Sequence, residues 1–346
     1  MRTLRSAIEN CPRNRDVARL PQPPCSYTAY AVLEPGGQLQ RITIPWKWPR
    51  AGESSSSARV RRLCDVSALA CETRSARSNH ADHVPAHPRA RDVGDVVAIS
   101  CQERLWRVGQ RVGAGWHGGH CGVCARCRAG DFYVTLRSEA VVAVPEDMDP
   151  AEAAPMLCAG VTAFNSLRHM NVISPDIVAV QGIGHRPPRH PDSAALGFRT
   201  VALSTDGVKE HAARTLGADD FIRTRTDGDL ADQVLPEAHA GHDPVASLVE
   251  RGGAKRSAVD GTLLVLAAET APMPIPPLAL LVKRLSVRGW AVGSPKDTED
   301  CFALARAKGI KCFVERFPLH KAPEAFERCK TARFRAVIVP GISSAV

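Results

Sequence analysis

The residues at 177–184 are Ile-Val-Ala-Val-Gln-Gly-Ile-Gly, a short apolar run that ends in two glycines. The apolar run predicts a buried β-strand, and the glycines predict a tight turn where the backbone can approach a pyrophosphate. Further apolar runs at 198–203 and 261–266 predict more strands, and 209–216 predicts a helix that ends at Gly217. Strands that alternate with helices indicate an α/β fold with a parallel sheet.

The turn after the first strand lacks the third glycine of a complete dinucleotide-binding fingerprint. Residues 185–191 contain three prolines, which cannot form the first turns of a helix. The two glycines alone are therefore a weak signal, and the strands before and after them carry the prediction. On that context we predict that Gly182, Ile183 and Gly184 contact the phosphates of a dinucleotide cofactor.

The end of the second strand bears on which dinucleotide is bound. It ends at Ser204 and Thr205, where an acidic residue would bind the ribose hydroxyls of NAD. A serine leaves room for a 2′-phosphate, and Lys209 is a candidate partner for it. The sequence favours NADP and leaves NAD open. The alternative interpretation of Lys209 is a lysine on a solvated helix face.

A second chemical signal is a cluster of three cysteines, Cys121, Cys124 and Cys127. Two-residue spacers let a tight turn aim successive thiolates at one tetrahedral zinc. A redox Cys-x-x-Cys pair is the alternative, but a third cysteine at the same spacing fits it poorly. His117 or His120 could supply a fourth ligand, although each is more often an ordinary loop histidine.

Length and composition fit a two-domain protein. The chain has 346 residues, of which 44% are hydrophobic, and no apolar run approaches the ~20 residues of a membrane span. The net charge of +9 suits an anionic partner such as a dinucleotide, although a solvated basic surface is the favoured interpretation. Its arginine-rich tracts lack interleaved aromatic residues, so a nucleic-acid partner is not expected.

The twelve cysteines form no evenly spaced disulfide framework, which favours a reducing, cytoplasmic location. Residues 1–27 are predicted to be a disordered extension; a mitochondrial leader is the alternative, against which Glu9 and Asp16 argue. A first strand is predicted at Tyr27–Val32; residues 50–92 have little apolar periodicity, so regular structure is expected to return at Val93. Residues 149–167 predict a helix that begins at Asp149 and Pro150.

Several motifs between residues 28 and 340 share the pattern of one family. They are 109–124, which includes the first two cysteines of the cluster, 144–148 (Val-Pro-Glu-Asp-Met), 154–162 (Ala-Pro-Met-Leu-Cys-Ala-Gly-Val-Thr), 216–219 (Leu-Gly-Ala-Asp), 286–289 (Ser-Val-Arg-Gly) and 332–335 (Ala-Arg-Phe-Arg). On these residues the chain resembles the zinc-containing alcohol dehydrogenases of the medium-chain dehydrogenase/reductase superfamily.

The resemblance implies a fold and an activity. It implies a GroES-like, β-rich catalytic domain at 28–150, completed by about 300–346, and a Rossmann domain with a doubly wound parallel sheet at 151–299. It implies hydride transfer between NAD(P) and a small alcohol or carbonyl compound, with zinc as Lewis acid. It also implies a homo-oligomer, either a dimer or a tetramer.

The resemblance further assigns roles to particular residues. Cys121, Cys124 and Cys127 would hold a structural zinc, and Cys158 would be one ligand of a catalytic zinc. Thr162 would lie beside the nicotinamide, and Arg335 would contact the cofactor. Without the motif around it, Cys158 would be interpreted as a small buried hydrophobic residue.

The chain also departs from the family pattern. The stretches that supply the other two catalytic zinc ligands are absent, as is the fourth structural cysteine after Phe132. Tracts within 66–91 and 185–193 can be spelled by shifting the codons of family-like peptides by one base, so we hypothesise out-of-frame translation there. A strand and a helix are expected to be missing after Lys255, which would break the sheet's ladder.

Because of these departures, little zinc-dependent turnover is expected from the chain as it stands. Two alternatives remain open: a zinc-free enoyl or quinone reductase of the same superfamily, and a non-catalytic pseudoenzyme. The substrate itself is not indicated by the sequence.

Overall fold

The computed structural model describes residues 26–32, 38–45, 66–69, 90–96, 105–115, 140–170, 176–181, 194–204, 207–223, 246–250, 260–266, 277–331 and 335–340. The chain divides into two compact units. Unit 1 comprises Met1–Cys158, Ser294–Phe302 and Cys312–Val346; unit 2 comprises Ala159–Gly293 and Ala303–Lys311. Within the described ranges, no helix has the length and apolarity needed to cross a membrane.

The described elements follow one another along the chain as β1 (Ser26–Val32), β2 (Leu39–Pro45), β3 (Val66–Leu69), β4 (Ala90–Asp95), β5 (Arg111–Ala114), β6 (Val141–Ala143), α1 (Pro150–Pro155), α2 (Val161–Arg168), β7 (Ile177–Gln181), β8 (Arg199–Ser204), α3 (Glu210–Thr215), β9 (Asp220–Arg223), β10 (Ala246–Glu250), β11 (Thr262–Val265), α4 (Pro277–Lys283), β12 (Ser286–Gly289), α5 (Pro295–Lys308), β13 (Val314–Phe317), α6 (Ala322–Thr331) and β14 (Arg335–Ile338). A π-helical turn at Met156–Gly160 joins α1 to α2, and 3-10 turns at Gly207–Lys209 and Leu319–Lys321 precede α3 and α6.

Unit 1 is rich in antiparallel strands. Strands β1 and β2 pair antiparallel, and a six-stranded sheet has the order β13-β14-β3-β4-β5-β6. In that sheet only β13 and β14 are parallel. Val93, Val112 and Val337 are fully buried in its core. Strand β1 begins inside the predicted extension 1–27, of which 1–25 lie outside the described residues.

The strand predicted at Tyr27–Val32 is confirmed by β1, whereas the expectation that regular structure returns only at Val93 is wrong. Strand β3 lies wholly before that residue, and β4 begins before it. Strand β3 pairs with β4 on one side and with β14 on the other, so it is held by partners distant in sequence. Periodicity within 50–92 could not predict it, because a strand with two partners depends on pairing as well as on its own apolar pattern.

Unit 2 contains a six-stranded sheet in the order β12-β11-β10-β7-β8-β9. The strands predicted at 177–180, 198–203 and 261–266 correspond to β7, β8 and β11. The predicted all-parallel sheet needs correction: β7, β8 and β9 run parallel, as do β11 and β12, but β10 is antiparallel to both of its neighbours.

The reversed direction of β10 follows from the length of chain available. Only residues 251–261 join β10 to β11, and a crossover between parallel strands takes a dozen residues or more. An antiparallel pair needs only a short connection, so the short segment around the expected deletion favours an antiparallel β10. The expectation of a broken ladder is therefore also wrong, because β10 fills the place between β7 and β11.

Candidate functional site

The helix predicted at 149–167 carries Cys158 and Thr162. Asp149 caps it, since its Oδ1 atom accepts a hydrogen bond from the amide of Ala151 at 2.8 Å, and Pro150 occupies the first helical position. Pro155 has no amide to donate, and the helix widens into the π-helical turn directly after it. The predicted helix is thus confirmed, with an interruption at the residues around Cys158.

The backbone of β5 and the residue after it support the turn that holds Cys158. The Cys158 thiol is half-buried and is not in a disulfide bond. Its neighbour Leu157 is buried, and a Cβ on Gly113 would lie 2.8 Å from the Leu157 Cδ2 atom. A Cβ on Gly115 would lie 2.9 Å from the carbonyl oxygen of Leu157. Glycine at these positions allows the strand to approach the turn closely.

In unit 2, Thr162 belongs to a partly buried polar network around Val292. The Thr162 hydroxyl accepts a hydrogen bond from the Val292 amide at 3.1 Å, and Asn165 Nδ2 donates to the Val292 carbonyl at 3.2 Å. Trp290 Nε1 donates to the same carbonyl at 3.2 Å. Val292 has a φ of 46°, which is strained for a β-branched residue. Three hydrogen bonds therefore hold a backbone position that valine rarely adopts.

Aromatic contacts extend this network. The rings of Trp290 and His169 stack with centroids 5.0 Å apart, and the Arg288 guanidinium lies 5.0 Å from the Trp290 ring centroid. The Oδ1 atom of Asn165 is buried, and none of the described residues donates a hydrogen bond to it. This buried oxygen can therefore accept a hydrogen bond from a group outside the described residues.

The carboxyl ends of β8 and β9 bring together four candidate residues. Ser204 ends β8, Arg223 ends β9, and the two are register partners. A Cβ on Gly207 would lie 2.5 Å from the Arg223 Cζ atom, so the guanidinium packs directly against the Gly207 backbone. Lys209 is half-buried and ends the 3-10 turn that Gly207 begins.

Two arginines away from these groups have a raised pKa. Hydrogen bonds from Arg284 to Asp260, aided by the opposite charges, raise the pKa of the guanidinium above its ordinary value. The hydrogen bonds from Arg328 to Glu315, aided by the opposite charges, likewise raise the pKa of Arg328. Both guanidinium groups are charged at neutral pH in either case, so these pairs give no pH dependence there.

The predicted site residues are only partly described. Ser204, Lys209 and Thr162 lie in unit 2, Cys158 is the last residue of the first segment of unit 1, and Arg335 is the half-buried first residue of β14 in unit 1. Seven others lie outside the described residues: Cys121, Cys124, Cys127, Gly182, Ile183, Gly184 and Thr205. Across the described part of the chain, no group of three His, Cys, Asp or Glu side chains could hold a metal ion.

Two residues of interest were not predicted from the sequence. Nothing in the sequence indicates that Val292, rather than its neighbour Gly293, adopts a positive φ. Arg223 could have been found, because it ends the strand that follows the motif at 216–219 and parallel neighbours end at one edge. Both residues enter the candidate site from the structure.

Comparisons with known proteins identify several similar enzymes. The alcohol dehydrogenase notN of Aspergillus sp. (strain MF297-2) is 38% identical over 283 residues, covering 73% of this chain and 82% of that protein. The alcohol dehydrogenase patD of Penicillium expansum is 36% identical over 304 residues, with 73% and 82% covered. The cinnamyl alcohol dehydrogenase SbCAD4 of Sorghum bicolor superposes with a TM-score of 0.68 at 19% identity, over 92% of this chain and 100% of that one. No family model matches the sequence.

Proposed function

Because the chain belongs to the medium-chain alcohol dehydrogenase family, we propose that it transfers hydride between NADP and a small alcohol or carbonyl compound. The resemblance predicted from the motifs is confirmed by the two fungal relatives, and with it the class of nicotinamide-dependent oxidoreductase. Those relatives are called alcohol dehydrogenases, which supports an alcohol or its aldehyde as the substrate class of this chain.

The observation that carries the choice of NADP is the carboxyl end of β8. That strand lies beside β7, which leads into the glycine turn, and it ends at the buried Ser204. A carboxylate here would bind the ribose hydroxyls of NAD and repel a 2′-phosphate, whereas serine carries no charge that would repel the phosphate. Lys209, a few residues further on, supplies a positive charge near this end of the sheet.

The strand order supports a Rossmann layout for unit 2. Numbered by their order along the chain, the six strands lie as 3-2-1-4-5-6, the order of sheets that bind dinucleotides across their carboxyl edge. The mainly antiparallel unit 1 would then be the GroES-like catalytic domain, built from about 28–150 and 300–346. This division assigns most of the proposed cofactor contacts to unit 2 and the four proposed zinc ligands to unit 1.

The remaining cofactor contacts extend the same proposal. Gly182, Ile183 and Gly184 would hold the pyrophosphate and Thr205 would border the ribose, while the resemblance assigns a cofactor contact to Arg335 as well. The resemblance also places Thr162, whose hydroxyl accepts a hydrogen bond from the Val292 amide, beside the nicotinamide. The nicotinamide supplies or accepts the hydride, and these residues bind and orient it.

The zinc proposal divides into two parts. Three thiolates at the spacing of Cys121, Cys124 and Cys127 suit a structural zinc. A catalytic zinc takes three protein ligands and one open position, and the described residues supply one ligand, Cys158, without a group of three. The described residues therefore do not make up a catalytic zinc site.

A binding experiment tests the nucleotide proposal. We expect purified protein to bind NADPH at least about tenfold more tightly than NADH, as measured by quenching of protein fluorescence. Ser204→Asp should reverse this preference, because it places a carboxylate at the ribose. Ser286→Asp is the matched control, since it adds the same charge at an exposed position that begins β12.

The outcomes separate the proposal from its alternatives. Binding of neither nucleotide would favour the pseudoenzyme. Binding of NADPH with reduction of an enoyl substrate, but not of an aldehyde, in metal-free protein would favour the zinc-free reductase. A zinc content near one per chain, with no oxidation of primary alcohols, would agree with a structural zinc and an incomplete catalytic site.

The proposed homo-oligomer has a candidate surface in unit 2. Helix α4 exposes Leu278, Leu281 and Val282, which are 68%, 76% and 68% accessible, and β12 is the outermost strand of the described sheet. An apolar face beside an open sheet edge suits a second copy of the chain better than water.

A further inference from the structure

We propose that Arg223 binds the 2′-phosphate of NADP together with Lys209, and that it is a specificity-determining residue for the nucleotide; this rests on the proposed function. The proposal adds a contact from β9 to a site otherwise built from β8 and the turn after it. Its support is the position of Arg223, its close packing on Gly207 and the chemistry of guanidinium groups.

The first step is position. Strands β8 and β9 are parallel, so both end at the same edge of the sheet, and the register pairs Ser204 with Arg223. The ribose of the nucleotide is proposed to lie at Ser204, the end of β8. A long side chain from the neighbouring strand end can therefore reach a group on that ribose.

The second step is the surface against which Arg223 packs. A Cβ on Gly207 would lie 2.5–2.6 Å from the Cζ, Nε and Nη2 atoms of Arg223, which is closer than side chains approach. A side chain at 207 would therefore force the guanidinium to move from this position. The contact holds Arg223 against the turn that carries Lys209, so both cations belong to one short stretch of the edge.

The third step is chemistry. A guanidinium presents paired N–H donors that match two oxygens of a phosphate, whereas lysine acts as a point charge. A phosphate monoester carries close to two negative charges at neutral pH, and the ribose of NAD has a neutral hydroxyl at that position. Arg223 and Lys209 should therefore strengthen binding of NADP while changing binding of NAD little.

Nucleotide fragments test the proposal without requiring turnover. Calorimetric titration would compare 2′,5′-ADP, which carries the 2′-phosphate, with 5′-AMP, which lacks it. We expect Arg223→Gln to weaken binding of 2′,5′-ADP about tenfold or more and binding of 5′-AMP less than about twofold. Arg223→Lys should fall between, because it keeps the charge and loses the paired donors.

Two further variants test whether the loss of affinity is specific to the position of Arg223. Gly207→Ala keeps Arg223 but fills its space, so it too should weaken 2′,5′-ADP selectively. Arg199→Gln is the matched control: it removes an arginine from the opposite ends of the same two strands, where Arg199 pairs with Asp220, and it should leave both affinities unchanged.

Failure of this inference is distinguishable from failure of the proposed function. If wild-type protein prefers 2′,5′-ADP but Arg223→Gln leaves that preference intact, Arg223 has no role and the NADP proposal survives. An equal loss of both fragments would also overturn the inference, since it would indicate a structural role. If the wild-type protein binds 5′-AMP as tightly as 2′,5′-ADP, or binds neither, both proposals fail.

Discussion

Replacing Gly115 with alanine should disturb the turn that holds Cys158. The new Cβ would lie 2.9 Å from the Leu157 carbonyl oxygen, whereas ordinary contacts begin at 3.4 Å. Because that oxygen is backbone, relief requires β5 or the π-helical turn to move by about half an ångström. Overpacking of this kind costs about 1–3 kcal/mol, and the lower unfolded-state entropy of alanine offsets about 0.5–1 kcal/mol of it.

The net loss of up to about 2.5 kcal/mol corresponds to a fall in Tm of up to about 10 °C. Gly289→Ala provides the control, because a Cβ on Gly289 would meet no atom within 4 Å. Differential scanning calorimetry of the two variants beside the wild type measures the effect. A Gly115→Ala protein that melts at or above the temperature of Gly289→Ala would refute the close approach of β5 to the turn.

Three smaller effects follow from single contacts. Asp149→Ala removes both the cap and the ion pair with Arg316, whereas Asp149→Asn removes only the ion pair and keeps the acceptor for the Ala151 amide. Asp149→Ala should therefore lower the free energy of unfolding by about 1 kcal/mol more than Asp149→Asn; equal urea midpoints for the two would contradict this. Thr162→Val should lower the free energy of unfolding by about 1 kcal/mol more than Thr162→Ser, because only serine still accepts the hydrogen bond from the Val292 amide. Equal urea midpoints for these two variants would contradict this prediction. Leu281→Asp should reduce the mass seen by light scattering, and an unchanged oligomer would exclude this face of α4.

Local signals in the sequence predicted the elements that depend on local chemistry. The apolar runs of β7, β8 and β11 mark buried strands whatever their partners. Gly217 ends α3 with a φ of 94°, as expected of a glycine just after a helix. Asp149 and Pro150 began the predicted helix because a cap and a first-position proline act within one turn.

The features that the sequence did not predict depend on distant partners. Strand β3 is defined by pairing with β4 and β14. The positive φ of Val292 is held by side chains more than a hundred residues away along the chain, Thr162 and Asn165. The packing of Arg223 on Gly207 requires β8 and β9 to be neighbours. A short stretch of sequence does not contain both partners of any of these contacts.

The reversal of β10 divides the nucleotide edge of the unit 2 sheet into two unequal halves. Strands β7, β8 and β9 end together there, so the groups proposed to bind the adenosine phosphates share one edge. Strand β10 instead brings its first residues to that edge, because Ser247 pairs with Val180 near the end of β7.

Each half of such a sheet normally binds one mononucleotide, so the reversal alters the half that would receive the nicotinamide and leaves the other intact. The fragment 2′,5′-ADP should therefore retain most of the affinity of NADPH, within about tenfold by calorimetry. If NADPH bound far more tightly than the fragment, the reversed strand would have to support a full nicotinamide site, and the argument from strand direction would fail.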